Sequence, residues 1–378
     1  MKKFFSGLFT LLILAAIGGS VYLFPDFYHT QFDKVRGMYF VYKGDKAYKK
    51  WNLQKAIDYY LRAVKLYPGH YTAWYNLGNI YVAYEDYYSA VDAYEQAIRF
   101  NPKFMVARMN YGIISTEKLG DFDGAIDQYN AIINVKRRLL SIPFIFNNRR
   151  STKTNRGLAY YNMGVAYKQK SVYSGDEWDI KRIYLLKALD AYENAVKILK
   201  KDYDARYNLA LTYHLLGNYH EAGMNYCKAI ELSPMQYEAH YNLAILLRHL
   251  KYYKESLDEL EKATSLITNS DGVTNRQMYV FDVMNDVTRT ILAGTDSKTL
   301  VEELNEITPK DESGSVTYVH GKLVATEELD NAIIKNFSTC ASAKIFEKDI
   351  EEGITDVSDF ERDTVRIPPV DEFSEASP

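Results

Sequence analysis

Residues 71–104 read YTAWYNLGNIYVAYEDYYSAVDAYEQAIRFNPKF, and this stretch decides the fold. Gly78 and Ala90 are small because two helices cross there at close contact. Tyr81, Tyr94 and Ala97 are placed to fill the seam towards the next segment. Pro102 stops the second helix, since it lacks an amide hydrogen and its ring clashes with the preceding turn. The same positions recur at an interval of 34: Gly44, Gly78 and Gly112; Ala56 and Ala90; Tyr60 and Tyr94; Ala63 and Ala97; Pro68 and Pro102. Later in the chain Ala188 and Ala222, Tyr192 and Tyr226, Ala195, Ala229 and Ala263, and Tyr207 and Tyr241 repeat it. A fixed period of this length marks stacked helix pairs, none of which can bury its apolar face alone.

Six units follow, at 37–70, 71–104, 105–139, 157–202, 203–236 and 237–270. The fourth is stretched: Tyr167 to Ala188 spans 21 residues where Tyr81 to Ala90 spans 9. Insertions are expected near 140–156 and 169–182. The sixth unit lacks the proline and carries Ser256 in place of alanine, and 275–292 reads as a capping helix.

The period, with Trp74, Leu77, Gly78, Tyr81, Ala90, Tyr94, Ala97 and Pro102 in this order, resembles the tetratricopeptide repeat. The resemblance implies an all-α right-handed superhelix over 37–292, whose first helices line a concave groove that grips an extended peptide. Position six of the unit is Asn76, Asn110, Asn162, Asn208 and Asn242, and its neighbour is Tyr75, Met109, Tyr161, Tyr207 and Tyr241. The asparagine series resembles the ladder in the superhelical arm of eukaryotic O-linked N-acetylglucosamine transferases. A carboxamide offers both a donor and an acceptor, which matches a peptide unit whatever its side chain. Tyrosines beside it add flat apolar area with a polar tip. The groove reading names Asn76, Asn110, Asn162, Asn208, Asn242, Tyr75, Tyr161, Tyr207 and Tyr241; the competing reading has these residues capping or packing within the repeat. The first unit departs, with Tyr42 at the asparagine position. A dicarboxylate clamp, which needs Lys and Arg on successive first helices, is approached only by Arg108 and Arg206 and is not carried over.

Outside the repeats, Phe4 to Phe24 is a 21-residue stretch without charge, closed by Pro25. At about 1.5 Å per residue it matches the roughly 30 Å hydrocarbon core of a bilayer. It is expected to be an uncleaved anchor at 1–24, followed by a linker at 25–36. A cleaved signal would need a shorter apolar run and a small-x-small site, for which Ala16–Gly18 and Gly18–Ser20 are imperfect candidates. Lys2 and Lys3 favour a cytoplasmic N-terminus and an extracytoplasmic body, periplasmic if bacterial; Lys34, Arg36 and Lys43 argue the other way.

The net charge of −3 hides segregation, with −12 carried by 293–378 and +7 by 25–292. Inside the basic body, KRRLLSIPFIFNNRRSTKTNR at 136–156 has no acid. Arg137, Arg138, Arg149 and Arg150 flanking Phe144 and Phe146 suit an anionic membrane surface, against the reading in which the apolar residues pack and the charges are solvated. The acidic C-terminal region is expected to be mixed: a short helix at 296–307, a small hairpin around His320-Gly321, and a disordered end. It either docks on the basic body or serves as a solvated, solubilising tail.

No local catalytic signature occurs: no HExxH, GxSxG, P-loop or GxGxxG. Seven scattered histidines make no metal pair, and Cys227 beside Tyr226 reads as a buried small apolar residue. Two cysteines are too few for a disulfide scaffold. No cofactor and no nucleic-acid partner is expected. The chain is read as a non-catalytic, membrane-tethered scaffold for a protein or peptide partner in extended conformation. The alternative is a secreted or periplasmic chaperone-like carrier whose signal has been removed, and a third reading is an accessory arm of a glycosyltransferase.

Overall fold

A computed structural model describes residues 25–135, 148–175, 177–268, 340 and 342–346. The chain forms two compact units, residues 1–146 and 147–378. The first holds α1 (Pro25–Lys49), α2 (Leu53–Leu66), α3 (Tyr71–Ala83), α4 (Tyr87–Phe100), α5 (Met105–Ile114) and α6 (Phe122–Ile133). The second holds α7 (Asn148–Tyr173), α8 (Trp178–Ile198), α9 (Tyr203–Leu215), α10 (Tyr219–Leu232), α11 (Tyr237–His249) and α12 (Tyr253–Thr268). Consecutive helices pack in pairs, α1 with α2 through α11 with α12, and no strand occurs among the described residues.

One contact repeats at the centre of the first four pairs. A Cβ built at Gly44, Gly78, Gly112 or Gly164 would lie 2.5 to 2.7 Å from the ring of Tyr60, Tyr94, Tyr129 or Tyr192 respectively. Glycine is used there because the partner helix lays a phenol flat across its backbone. These four tyrosines are at most 1% exposed. The turn between the two helices of a pair runs through the left-handed region, at Trp51, Glu85, Gly120, Gly175, Gly217 and Lys251. The second helix then starts on a side-chain cap in three pairs: Asn52 accepts from the Lys55 amide, Asp86 from Ser89 and Asp121 from Gly124.

Extra residues are absorbed inside helices. In the third pair the glycine-to-tyrosine interval is 17 rather than 16, and α5 takes up the surplus residue as a π-helical turn at Ser115–Leu119. In the fourth pair the surplus lengthens α7 to 26 and α8 to 21 residues, so much of the insertion expected near 169–182 is helix rather than loop. Residues 25–36, read from the sequence as a linker, are the first half of the 25-residue α1.

The second unit also contains a piece of the acidic region. Cys340 is bonded to Cys227, and a single helical turn ending at Phe346 lies in the core cluster of Ala222, Tyr226 and Ile230. The solvated-tail reading fails for 340–346, because Phe346 is fully buried. No helix among the described residues is long and apolar enough to cross a membrane. The Phe4–Phe24 anchor lies outside those residues, as do Arg137, Arg138, Phe144 and Phe146, the 275–292 cap, the 296–307 helix and the hairpin at His320-Gly321. Arg149 and Arg150 fall in the first turn of α7.

Candidate functional site

Positions five and six lie on the first helix of each pair, and the structure gives them partners. The position-five tyrosine packs on the core tyrosine of its own pair: Tyr75 on Tyr94 with ring centroids 5.8 Å apart, Tyr161 on Tyr192 at 5.9 Å, Tyr207 on Tyr226 at 6.1 Å. Its hydroxyl then accepts from the asparagine one unit on. Asn110 Nδ2 donates to Tyr75 Oη at 3.4 Å, Asn208 to Tyr161 at 3.5 Å and Asn242 to Tyr207 at 2.8 Å. Core tyrosine, position-five tyrosine and the next asparagine thus form a relay running from one pair to the next within a unit.

The core hydroxyls join this network. Tyr60 donates to Asp45 Oδ1 at 2.7 Å, and Asn76 Nδ2 donates to both Asp45 Oδ1 at 3.3 Å and Tyr60 Oη at 3.2 Å. One unit later Tyr94 donates to Asn79 Oδ1 at 2.8 Å, while Asn110 Nδ2 reaches Asn79 at 3.2 Å. Burial, then the Asp45 carboxylate, push the Tyr60 phenol far up. Burial takes Tyr94 up to about 12. Both remain neutral donors at any physiological pH.

The asparagine series therefore divides. In Asn76 and Asn110 the amide nitrogen is held by the fold, the residue is half-buried, and the carbonyl oxygen accepts no bond among the described residues. Asn208 Oδ1 accepts from Lys168 Nζ at 2.7 Å, and its Nδ2 donates to the Asp204 carbonyl at 2.9 Å. Removal from water holds Lys168 down to about 8. Asn242 is 2% exposed and bonded to Tyr207 and to the Glu238 carbonyl, so it braces a seam rather than facing a groove. Asn162, Tyr161, Tyr207 and Tyr241 are half-buried on α7, α9 and α11.

Position four carries a role that the sequence reading missed. Trp74 Nε1 donates to the Pro68 carbonyl at 2.9 Å and Arg108 Nε to that of Pro102 at 3.0 Å; His240 Nε2 lies 3.1 Å from that of Pro234. Each ties a first helix to the connection before it, six residues back. Arg108 also bonds Gln128, and Arg206 bonds Asn225 at 3.0 Å, so both arginines brace their own second helix. His240 Nδ1 lies 2.6 Å from Glu259 Oε2, whose other oxygen is paired with Lys262 at 2.7 Å. Burial would raise Glu259, but the interactions with His240 and Lys262 together outweigh it and the carboxyl is held below its usual range. No group of three or more metal-ligating side chains occurs among the described residues.

Comparison with known proteins places the repeats. The tetratricopeptide repeat family matches residues 71–104, 203–234 and 237–269. The TPR repeat-containing protein of Methanocaldococcus jannaschii is 25% identical over 212 residues, half of this chain and 37% of that protein. The UDP-N-acetylglucosamine–peptide N-acetylglucosaminyltransferase of Giardia intestinalis is 37% identical over 62 residues, 16% of this chain and 4% of that protein. The solved structure of pilF from Pseudomonas aeruginosa aligns at 12% identity and a TM-score of 0.46 over 66% of this chain and 98% of that one. The chain spans from 4% to 37% of the length of the curated relatives it matches. Residues 71–104, 203–234 and 237–269 match the tetratricopeptide repeat family, and the described residues form six consecutive helix pairs.

Proposed function

We propose that the protein is a non-catalytic, membrane-tethered scaffold that binds an extended segment of a protein partner on the first-helix faces of its repeats. The observation that carries this reading is the state of Asn76 and Asn110. Each is half-buried, with the nitrogen pinned by a phenol and a neighbouring acceptor, which fixes the amide's orientation and leaves the carbonyl for a partner's backbone N–H. Pre-organisation of this kind spares the partner the cost of ordering the side chain. With Asn242 buried, the proposed contacts narrow to Tyr75, Asn76 and Asn110 on the first unit and to Tyr161, Asn162 and Asn208 on the second.

Tethering rests on Phe4–Phe24 together with α1. Directly after that apolar stretch α1 exposes Phe27, Phe32, Val35, Tyr39 and Tyr42, large apolar side chains of the kind that sit at a membrane boundary. Arg137, Arg138, Arg149 and Arg150 with Phe144 and Phe146 would add a second contact with anionic lipid. A disulfide between Cys227 and Cys340 suits an oxidising compartment and supports an extracytoplasmic body.

Changing Asn76, Asn110 and Asn208 together to Ala is expected to lower the yield of partners crosslinked to the protein in intact cells at least severalfold. Because the same amides brace the seams, the urea midpoint of each variant is measured in parallel and helical content is expected to persist. Unchanged crosslinking would remove the groove reading.

A further inference from the structure

The second helix of the fifth pair breaks the pattern of the other five at two places. Three residues before the core tyrosine, or its leucine counterpart Leu260, the chain has Ile57, Val91, Ile126, Leu189 and Leu257; in α10 it has Gly223. One residue after it come Leu61, Glu95, Asn130, Glu193 and Glu261; in α10 it is Cys227. Both departures face the same object. A Cβ at Gly223 would lie 2.3 Å from the Phe346 ring, and Cys227 is bonded to Cys340. A large apolar residue has been removed from α10 to make a hole for a phenylalanine, and a carboxylate or aliphatic position has become the thiol that holds its segment.

We propose that Gly223 and Cys227 form on α10 a binding site for a short peptide that carries an aromatic residue, and that reduction of the disulfide opens it. Residues 340 and 342–346 occupy the site in the oxidised chain, with Ile345 and Ala343 packed in the same cluster as Phe346. This site is on a second helix and does not depend on the groove proposed above. The segment is separated from α12 by the 71 residues 269–339, so its contacts alone must overcome the closure of a long loop. Sulfur chemistry removes that constraint. A small dithiol attacks one sulfur with its thiolate, breaking the S–S bond and forming a mixed disulfide; its second thiolate then displaces the protein sulfur. Two electrons and two protons pass to the protein, leaving Cys227 and Cys340 as thiols and the reagent as a cyclic disulfide.

The test uses the full chain. On adding dithiothreitol, amide hydrogen exchange at 340–346 is expected to speed up at least about tenfold, and at 219–230 to rise with it, while α11 stays as protected as before. Equal exchange before and after reduction would overturn the proposal. A fluorescent peptide of residues 337–349 carrying Cys340→Ser is the second probe. It should bind the full chain carrying Cys340→Ser and Phe346→Ala, in which the resident segment is disabled, and not the oxidised wild type. Gly223→Leu restores what α8 and α12 carry at this place, so the helix keeps its fold, and on the disabled background it should abolish peptide binding. Binding that survives Gly223→Leu, or that is equal for the oxidised wild type, would contradict the assignment.

Discussion

Single side chains set how tightly each pair closes. The ring of Tyr94 lies where a Cβ on Gly78 would have to be, 2.5 Å from it. Gly78→Ala should therefore destabilise the first unit by about 1–2 kcal/mol in urea unfolding, the crowding outweighing the roughly 1 kcal/mol that alanine gains in helix propensity. Equal or greater stability would contradict the packing described. His214 is the second test at this scale. Burial, and then the charge of His249, hold its imidazole down to about 3. The unfolded chain takes up a proton near pH 6.5 that the folded chain refuses, so stability is complete above that pH and falls as the pH drops towards 3. By pH 5 the loss should be about 2 kcal/mol, and His214→Gln should flatten the decline between pH 7 and 5. A profile unchanged by that substitution would argue against a buried neutral imidazole. At this scale Gly78, Ala90 and Tyr94 were legible because their spacing repeats. The bond from Asn110 to Tyr75 was not, since periodicity names the face of a helix but not whether its polar groups are already engaged across a seam.

Helices and their turns carry the next level. Every turn inside a pair that passes through the left-handed region is followed by a helix start; three of these positions are Gly120, Gly175 and Gly217, and three are Trp51, Glu85 and Lys251. A side chain there costs free energy that glycine does not, so Glu85→Gly should raise stability by about 0.5–1 kcal/mol, read as a higher urea midpoint; a lower midpoint would mean that the Glu85 side chain contributes more than its backbone costs. The six pairs were readable from the 34-residue period, and so was the existence of extra residues in the fourth. Their placement was not. A surplus residue between Gly112 and Tyr129 can be looped out or absorbed as a π-helical turn, and only packing against α6 decides between them. The same holds for α7 and α8, where longer helices bury more surface than a loop would. Residues 25–36 read as a linker because α1 leaves apolar side chains exposed on its first half, which blurs the helical pattern.

For the molecule as a whole, the decisive comparison is between what the sequence says about composition and what one bond does to it. An acidic stretch with few apolar residues reads as a solvated tail, and most of 293–378 keeps that reading as an expectation. Phe346 and Cys340 depart from it because Gly223 and Cys227 were shaped to receive them. The magnitudes explain why the bond is needed. Burying one phenylalanine is worth about 2–3 kcal/mol, whereas closing a loop of about a hundred residues costs roughly 4–5 kcal/mol. The disulfide, 113 residues long in sequence separation, is what fixes the segment. Its sequence signal was present: a glycine replacing an aliphatic residue and a cysteine replacing an acid at matched positions of one repeat.

The scaffold reading turns on whether another chain lies along the first helices. A photocrosslinking amino acid placed at Tyr75 on α3, compared in intact cells with one at Tyr88 on α4, which is 76% exposed, measures this directly. The account predicts a discrete adduct at 75 that is lost when Asn76 and Asn110 are changed to Ala, and none at 88. Equal labelling at both positions, or an adduct at 75 that ignores the asparagines, would contradict it.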